Sequence, residues 1–107
     1  MDDTLLCLNS EWQGCENPIL ESGSRQLAKD LFGKQQFVDF GPSDPATPEM
    51  EGGVFALEII RSRFMHALES LRSLGPARVF TVGGSCGTEA APVAYLNEMY
   101  WGRIGVV

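Results

Sequence analysis

The feature that most constrains the fold is the segment at residues 78–96, RVFTVGGSCGTEAAPVAYL. Strand-forming residues at 77–82 run directly into a glycine-rich turn at 83–87, and a helical pattern follows at 92–101. A strand that passes through a tight turn into a helix is half of a βαβ unit, whose strands pair in parallel. This segment therefore predicts a layered α/β protein.

The rest of the chain repeats the same alternation. Strands are predicted at 5–8, 36–40, 77–82 and 103–107, and helices at 25–32, 54–74 and 92–101. Strands that alternate with helices in this way are typical of a parallel sheet flanked by helices and joined by right-handed crossovers. The sequence predicts about four strands and three helices in a single domain.

The first helix is predicted to begin after Ser22 or Ser24 as a cap and to stop at Gly33, with its apolar residues on one side. Those apolar residues are Leu27, Leu31 and Phe32. The segments before and after this region, 11–24 and 41–53, are rich in turn residues and are predicted to be loops. The helix at 54–74 carries an apolar stripe at three- and four-residue spacing, formed by Leu57, Ile60, Phe64, Ala67, Leu68, Leu71 and Leu74.

The charge and the cysteine content exclude several classes of protein. A net charge of −6, with few dispersed lysines and arginines, argues against a nucleic acid or an anionic membrane as the partner. The three cysteines, Cys7, Cys15 and Cys86, form no C-x-x-C pair, so neither a disulfide framework nor a zinc site is indicated. Because no leader-like or membrane-spanning apolar segment is visible, we expect a cytoplasmic protein.

Residues Gly83–Gly87 match G-x-S-x-G, the pattern of a serine nucleophile elbow. A serine nucleophile needs a histidine base within hydrogen-bond reach. The residues after Gly87 include neither His nor Asp, and the single histidine, His66, falls on the polar face of its predicted helix. The sequence therefore predicts no catalytic serine at Ser85.

The same turn also has the form of an anion cradle, since backbone N–H groups at a helix N-terminus attract phosphate. A dinucleotide fingerprint would place a glycine where Val82 stands, and a P-loop would need a lysine after the glycines. A small nucleotide- or phosphate-binding module therefore remains an alternative, beside a tight turn that only lets the chain leave the sheet.

The turn Gly83-Gly84-Ser85-Cys86-Gly87 resembles the first metal motif of the ureohydrolase superfamily, the arginases and agmatinases, whose usual form is G-G-D-H-S. Residues 92–107 look like the helix and strand that lead to the second motif of that family. Residues 12–18 and 21–27 are similar to its first loop and to the start of its first helix. The resemblance implies that residues 1–107 are the N-terminal part of an arginase-like domain.

The resemblance implies an incomplete three-layer α/β fold and, in a full-length parent, a two-manganese centre. Such a centre activates a water that attacks the carbon of a cationic guanidino or amidino substrate. Cys86 stands where the family has a histidine metal ligand, and Ser85 stands where it has an aspartate. The D-x-H-x-D and D-x-D motifs are absent from this sequence. We therefore expect no catalytic residue and no bound manganese in the chain as given.

Two further expectations concern the surface. An incomplete sheet exposes strand edges, so we expect a homo-oligomer in which residues 103–107 or 78–82 pair across the interface. A non-catalytic arginase-like scaffold for binding or assembly is thus the alternative to an enzyme fragment. Cys86 is expected either to pack as a small apolar residue or, at a helix N-terminus, to react readily with alkylating agents.

Overall fold

The protein is described by a computed structural model over residues 3–40 and 49–105. The strands are β1 (Thr4–Asn9), β2 (Val38–Asp39), β3 (Met50–Glu51), β4 (Val54–Phe55) and β5 (Arg78–Gly83). The helices are α1 (Ile19–Phe32), α2 (Leu57–Leu74) and α3 (Ala90–Met99). Short 3-10 turns at Gln13–Cys15 and Cys86–Glu89 follow β1 and β5.

Three strands form one parallel sheet in the order β2-β1-β5. In its register, Leu8 pairs with Asp39 on one side and Asn9 pairs with Gly83 on the other. The chain therefore leaves β1 for a neighbour on one side and later returns to the opposite side. The predicted α/β class is confirmed, as are the parallel pairing and the three helices.

Alternate residues of β1 enter two different cores. Cys7, with Leu5, packs in a cluster with residues of α2 and α3: Ala67, Leu68, Leu71, Ala91 and Tyr95. Leu8, with Leu6, packs in a second cluster with α1 and β5: Ala28, Phe32 and Val82. Helices thus cover both faces of the sheet, which explains why the run at 5–8 is apolar at every position.

Helix α2 ends where the sequence predicts but begins three residues later. Gly75, with a φ of 63°, takes the left-handed conformation, and its N–H donates to Leu71 O. Before the helix, β3 and β4 pair as an antiparallel hairpin. The residues of β3 were predicted to be in a loop and those of β4 in the helix, and both predictions are wrong. Residues 41–48 of that predicted loop lie outside the described residues.

The predicted stripe of α2 is only partly correct. Ala67, Leu68 and Leu71 are buried, whereas Leu74 at the end of the helix is 54% exposed. Ile59 and Arg63 are also buried, although neither belongs to the predicted stripe. The buried face of α2 is therefore rotated relative to the predicted stripe, and it includes the charged residue Arg63.

The predicted start of the first helix is wrong. Helix α1 begins at Ile19, so the second half of the expected loop at 11–24 is helical. Ser22 and Ser24 lie inside the helix and do not cap it, and their hydroxyls donate to Ile19 O and Glu21 O. Gly33, with a φ of 59°, follows the last helical residue as predicted.

The predicted apolar side of this first helix is also partly wrong. Phe32 is buried as expected, but Leu27 and Leu31 are 49% and 55% exposed. The small residues Ser24 and Ala28 are buried in their place. Ala28 packs with Leu8 and Val82 of the sheet, so small side chains form much of the buried side of this helix and the two leucines lie outside it.

The predicted fourth strand at 103–107 is not observed in its described part. Residues 103–105 pair with none of the described strands, and Val106 and Val107 lie outside the described residues. The chain turns after α3 at Trp101 and Gly102, which have positive φ values of 58° and 76°. Among the described helices, none is both long and apolar enough to cross a membrane.

Candidate functional site

The candidate site lies where the carboxyl ends of β1 and β5 meet. In the order β2-β1-β5, the chain reverses its direction of winding between these two strands. Open parallel sheets bind their ligands outside the carboxyl ends of the strands at such a switch point. The register pairs Asn9, the last residue of β1, with Gly83, and this brings the residues that follow β1 beside the glycine turn that follows β5.

The two loops at this point are packed so closely that Gly84 has no room for a side chain. A Cβ atom there would lie 2.9 Å from the carbonyl carbon of Glu11 and closer still to its oxygen. The backbones are joined by Gly84 N–H to Asn9 O at 3.0 Å and by Ser85 N–H to Glu11 O at 2.7 Å. The glycine at position 84 is therefore required by the approach of two backbones.

Gly83 is restricted by its own turn. A Cβ atom at Gly83 would lie 3.0 Å from Cβ of Thr88 and closer to the threonine hydroxyl. That hydroxyl donates to Ser85 O at 2.9 Å and holds the start of the next helical turn. Gly83 and Gly84 of the predicted motif turn thus have a packing role, whereas a Cβ at Gly87, the third glycine, would have its nearest neighbour at 3.5 Å.

The hydroxyl of Ser85 donates to the Oε2 atom of Glu11, and both side chains are buried. The N–H of Gly14 donates to the same carboxylate oxygen at 3.3 Å. His66 lies exposed on α2. The serine hydroxyl therefore contacts a buried carboxylate, and this carboxylate ties the loop after β1 to the turn after β5.

A buried arginine completes this cluster. Arg63 of α2 is 9% exposed, and its Nη2 atom donates to Asn9 Oδ1 at 3.3 Å. The N–H of Glu11 donates to the same amide oxygen at 3.3 Å. Burial lowers the pKa of the Arg63 guanidinium, and the negative charge of Glu11 acts in the opposite direction. We call Asn9, Glu11, Arg63 and Ser85 the switch-point cluster.

A second group of polar residues extends the site towards β2. The Nη1 atom of Arg25 contacts Asp39 Oδ2 at 2.6 Å, and its Nη2 atom donates to Ser10 Oγ at 3.2 Å. Glu21 lies one helical turn before Arg25, with 3.8 Å between the charged atoms. Helix α1 is thereby anchored across the carboxyl ends of β1 and β2.

Two cavities adjoin the glycine turn. A cavity of about 250 Å³ lies between α2 and α3, above the switch-point cluster. It is lined by Asn9, Glu11, Leu57, Ile60, Arg61, Arg63, Phe64, Gly87, Thr88, Ala90 and Ala91. A more open cavity of about 440 Å³ follows the outer edge of β5, where Thr81, Gly83, Cys86, Glu89 and Pro92 are among its lining residues.

The residues around the turn do not fit the manganese site that the family resemblance implies. Cys86 is exposed, so the expectation that it packs as a small apolar residue is wrong. It lies in the wall of the β5-edge cavity, which Glu89 also lines. Ser85 points instead to Glu11. Within residues 3–40 and 49–105, no three His, Cys, Asp or Glu side chains come together in a metal-binding group. Mn²⁺ prefers carboxylate, carbonyl and imidazole donors, whereas this turn offers a thiol at Cys86 and, at Ser85, a hydroxyl that is already bonded to Glu11.

The sequence indicates the turn but not its partners. Glu11 lies in a predicted loop, and Arg63 lies outside the predicted apolar stripe of the second helix. The available signal was the end of each strand, because parallel strands bring the residues that follow them to one edge of the sheet. That signal places Asn9 near Gly83, but it does not identify Arg63 of α2 as a member of the cluster.

No model of a known protein family matches this chain, and no curated protein matches it.

Proposed function

We propose that the chain forms the N-terminal part of an arginase-like, ureohydrolase-type α/β domain. A full-length parent would hydrolyse a guanidino or amidino C–N bond of a cationic small molecule at a two-manganese centre. The resemblance of Gly83–Gly87 to the first metal motif carries this proposal. It is supported by the location of that turn at the carboxyl end of a parallel strand.

In the chain as given, we propose that the turn acts as a structural element and that the chain is not itself a catalyst. The observation behind this part is the hydrogen bond between the buried side chains of Ser85 and Glu11. A hydroxyl held in this way gives a metal no negative charge. The remaining family motifs have no counterpart in the sequence.

Two measurements test this proposal. Urea release from arginine and agmatine, assayed with added Mn²⁺, is expected to stay at the level of a protein-free control. Metal analysis after dialysis is expected to find less than one manganese per chain. Turnover by the 107-residue chain would refute the non-catalytic part. Sequencing the coding DNA beyond the codon for Val107 tests the proposed relation to the arginase family. D-x-H-x-D and D-x-D motifs in the same reading frame would support that relation, and their absence would refute the proposal of a full-length parent enzyme.

A second candidate function is assembly through the edge of β5. Among the described strands, β5 pairs only with β1, so the backbone groups along its other side face no described strand. Phe80 in this strand is 50% exposed, and its ring also contacts Phe32 of α1 edge-on. An apolar open edge tends to pair with another chain. We propose that two copies of the chain associate through this edge, since the described part of 103–107 forms no strand.

Analytical ultracentrifugation tests the assembly candidate. The wild-type chain is expected to sediment as a concentration-dependent dimer, and Phe80→Lys is expected to sediment as a monomer because charge on an edge strand opposes pairing. Ile19→Lys is the control for an added surface charge, since Ile19 is 73% exposed at the start of α1 and is not part of β5. A monomeric wild-type chain, or equal effects of the two substitutions, would contradict pairing at β5.

A phosphate-binding module has less support from the same geometry. The Glu11 carboxylate lies directly behind the turn, where a Cβ on Gly87 would come within 3.9 Å of Oε1. A negative charge at this position opposes a phosphate at the helix N-terminus. We therefore keep the arginase-like unit as the leading proposal.

A further inference from the structure

Two leucines of α1 form an exposed apolar flank of this helix. Leu27 and Leu31 lie one turn apart, and each is about half exposed. Arg25 of the same helix contacts Asp39 of β2, so that flank of α1 faces the β2 edge of the sheet. Both leucines lie on the other side of the buried Ala28 from Arg25, about 160° and 120° around the helix axis at about 100° per residue. They therefore face the opposite edge, which β5 forms among the described strands.

Phe80 of β5 lies on the same face of the sheet as α1. It pairs with Leu6 of β1, and Leu6 packs against the cluster that contains Phe32 of α1. The rings of Phe32 and Phe80 meet edge-on, with 5.9 Å between their centroids. This contact nevertheless leaves Phe80 half exposed. We call Leu27, Leu31 and Phe80 the apolar shelf, which borders the side of β5 that faces no described strand.

The opposite face of β5 has unfilled space along the same edge. Side chains alternate between the two faces of a strand, so Val79 and Thr81 point away from the face of Phe80. Both line the β5-edge cavity of about 440 Å³, together with Thr88 and Pro92 on the side of α3. The open edge thus lies between an apolar surface on one face and an unfilled space on the other. A strand added at this edge would find a place for its side chains on both faces.

A second copy of β5, in antiparallel orientation, matches both faces of this edge. A two-fold axis perpendicular to the sheet keeps α1 of both copies on one face, so residues that pair across the axis point to the same face. With Phe80 on the axis, its ring meets the Phe80 ring of the other copy, and aromatic cross-strand pairs stabilise antiparallel strands. Val79 of each copy then lies opposite Thr81 of the other, in the space of the β5-edge cavity.

The spacing of the helices in this arrangement requires large side chains between them. Helix α1 packs over Leu8 of β1 and Val82 of β5. Because neighbouring strands lie about 4.8 Å apart, the two α1 helices would be separated by two to three strand spacings, roughly 10–14 Å. Helices in direct contact lie about 8–10 Å apart. The leucines and the phenylalanine of the two apolar shelves supply side chains that fill this gap.

We propose that two copies of the chain join their sheets in this way and bury their apolar shelves against each other. The product is one continuous sheet in the order β2-β1-β5-β5-β1-β2, antiparallel at its centre. A second copy is the occupant because a single set of residues, repeated by the two-fold axis, then covers both the edge and the shelf. This arrangement rests on the proposed association through β5, to which it adds a register and a contact between helices.

Analytical ultracentrifugation of Leu31→Lys tests the contact between helices. Leu31 lies in α1, so the substitution leaves the backbone of the open edge as it is. The dissociation constant of the dimer is expected to rise about 10–100-fold, because each copy loses the burial of about half a leucine side chain. Ile19→Lys is the matched control, since it adds the same charge to the same helix about 180° from the buried Ala28. Its dimer is expected to dissociate as the wild type does.

A disulfide at the two-fold axis tests the register. The background chain carries Cys15→Ser and Cys86→Ser, which remove the two exposed thiols. In that background, Phe80→Cys is expected to form a covalent dimer with oxidised glutathione, because residue 80 meets its own copy. Thr81→Cys is the matched control. Its Cα atom and that of its copy would lie roughly 8 Å apart, beyond the reach of a disulfide.

The outcomes separate this arrangement from the edge pairing on which it rests. A monomeric wild-type chain overturns both. Dissociation by Phe80→Lys but not by Leu31→Lys overturns the contact between the apolar shelves and leaves the edge pairing in place. Equal effects of Leu31→Lys and Ile19→Lys also overturn that contact. A covalent dimer of Thr81→Cys, or none of Phe80→Cys, overturns the register.

Discussion

Replacing Gly84 by alanine tests whether the two backbones at the switch point are as close as the structure has them. The φ angle at Gly84 is not positive, so an alanine is tolerated there by its own backbone. The added Cβ would nevertheless lie 2.9 Å from the carbonyl carbon of Glu11 and 3.2 Å from that of Ser10. Carbon atoms pack at about 3.5–4.0 Å, so the loops must separate by roughly 1 Å.

Separating the two loops would weaken the three hydrogen bonds that join them. The bonds from Gly84 N–H to Asn9 O and from Ser85 N–H to Glu11 O each contribute about 1 kcal/mol. The bond from the Ser85 hydroxyl to the Glu11 carboxylate involves a charged group and contributes about 2 kcal/mol. We expect Gly84→Ala to lower the free energy of unfolding by about 3 kcal/mol, because part of this network is lost.

Urea denaturation followed by circular dichroism measures the effect, and thermal unfolding should show a decrease in Tm of roughly 10–25 °C. The matched control is Gly23→Ala in α1, where an added Cβ has no neighbour within 4 Å. This control should raise stability by about 0.5–1 kcal/mol, because alanine is favoured over glycine inside a helix. A loss below about 1 kcal/mol in Gly84→Ala would refute the close packing of the two loops.

Two further predictions concern buried groups. Ser85→Ala is expected to lower the free energy of unfolding by about 2 kcal/mol, because Glu11 Oε2 loses one of its two described donors. Urea denaturation measures this change. The control is Ser62→Ala on the exposed side of α2, whose free energy of unfolding should stay within about 0.5 kcal/mol of the wild type. Burial raises the pKa of the Cys7 thiol above its ordinary value of 9.0, so the folded protein keeps a proton that the unfolded chain loses, and stability should fall as the pH rises above about 9. Denaturation at about pH 8 and pH 10 measures this slope, which Cys7→Ala should flatten, and an equal slope in the variant would contradict it.

Much of the fold follows from local sequence. The run at 5–8 is apolar throughout because helices cover both faces of β1, and a continuous apolar run is typical of such strands. Gly33 and Gly75 mark helix ends because both adopt positive φ angles that glycine accepts readily. These features were predictable because each depends on neighbours in the sequence or on a simple alternation of burial.

The start of α1 was not predictable from propensity. The segment at 19–24 contains two serines and a glycine, which favour turns in isolation. In the folded chain this segment is helical, with Ser24 buried on the side that faces the sheet. Serine hydroxyls bonded to carbonyls of the same helix satisfy their hydrogen-bonding needs there. Tertiary packing thus outweighs a local preference of a few tenths of a kcal/mol per residue.

The switch-point cluster was unpredictable for a different reason. Glu11 and Ser85 are separated by 74 positions, and Arg63 lies between them in the sequence, on α2. No local sequence pattern therefore joins the three residues. Parallel topology brings the first two together, because it fixes which strand ends are adjacent. The position of Arg63 depends on how α2 is rotated about its axis, and its burial beside Ala67 in that helix is a result of tertiary packing.

The glycine turn shows why a short motif is weak evidence for chemistry. Gly83 and Gly84 are each explained by a steric contact, one with Thr88 and one with the backbone of Glu11, and neither contact involves a ligand. The glycines alone therefore do not distinguish a metal motif from a packed turn. The next two residues, Ser85 and Cys86, make that distinction, because a metal motif would need their side chains as ligands. Here Ser85 points back to Glu11 and Cys86 faces outward. The side chains after the glycines therefore fit a packed turn and not a metal motif.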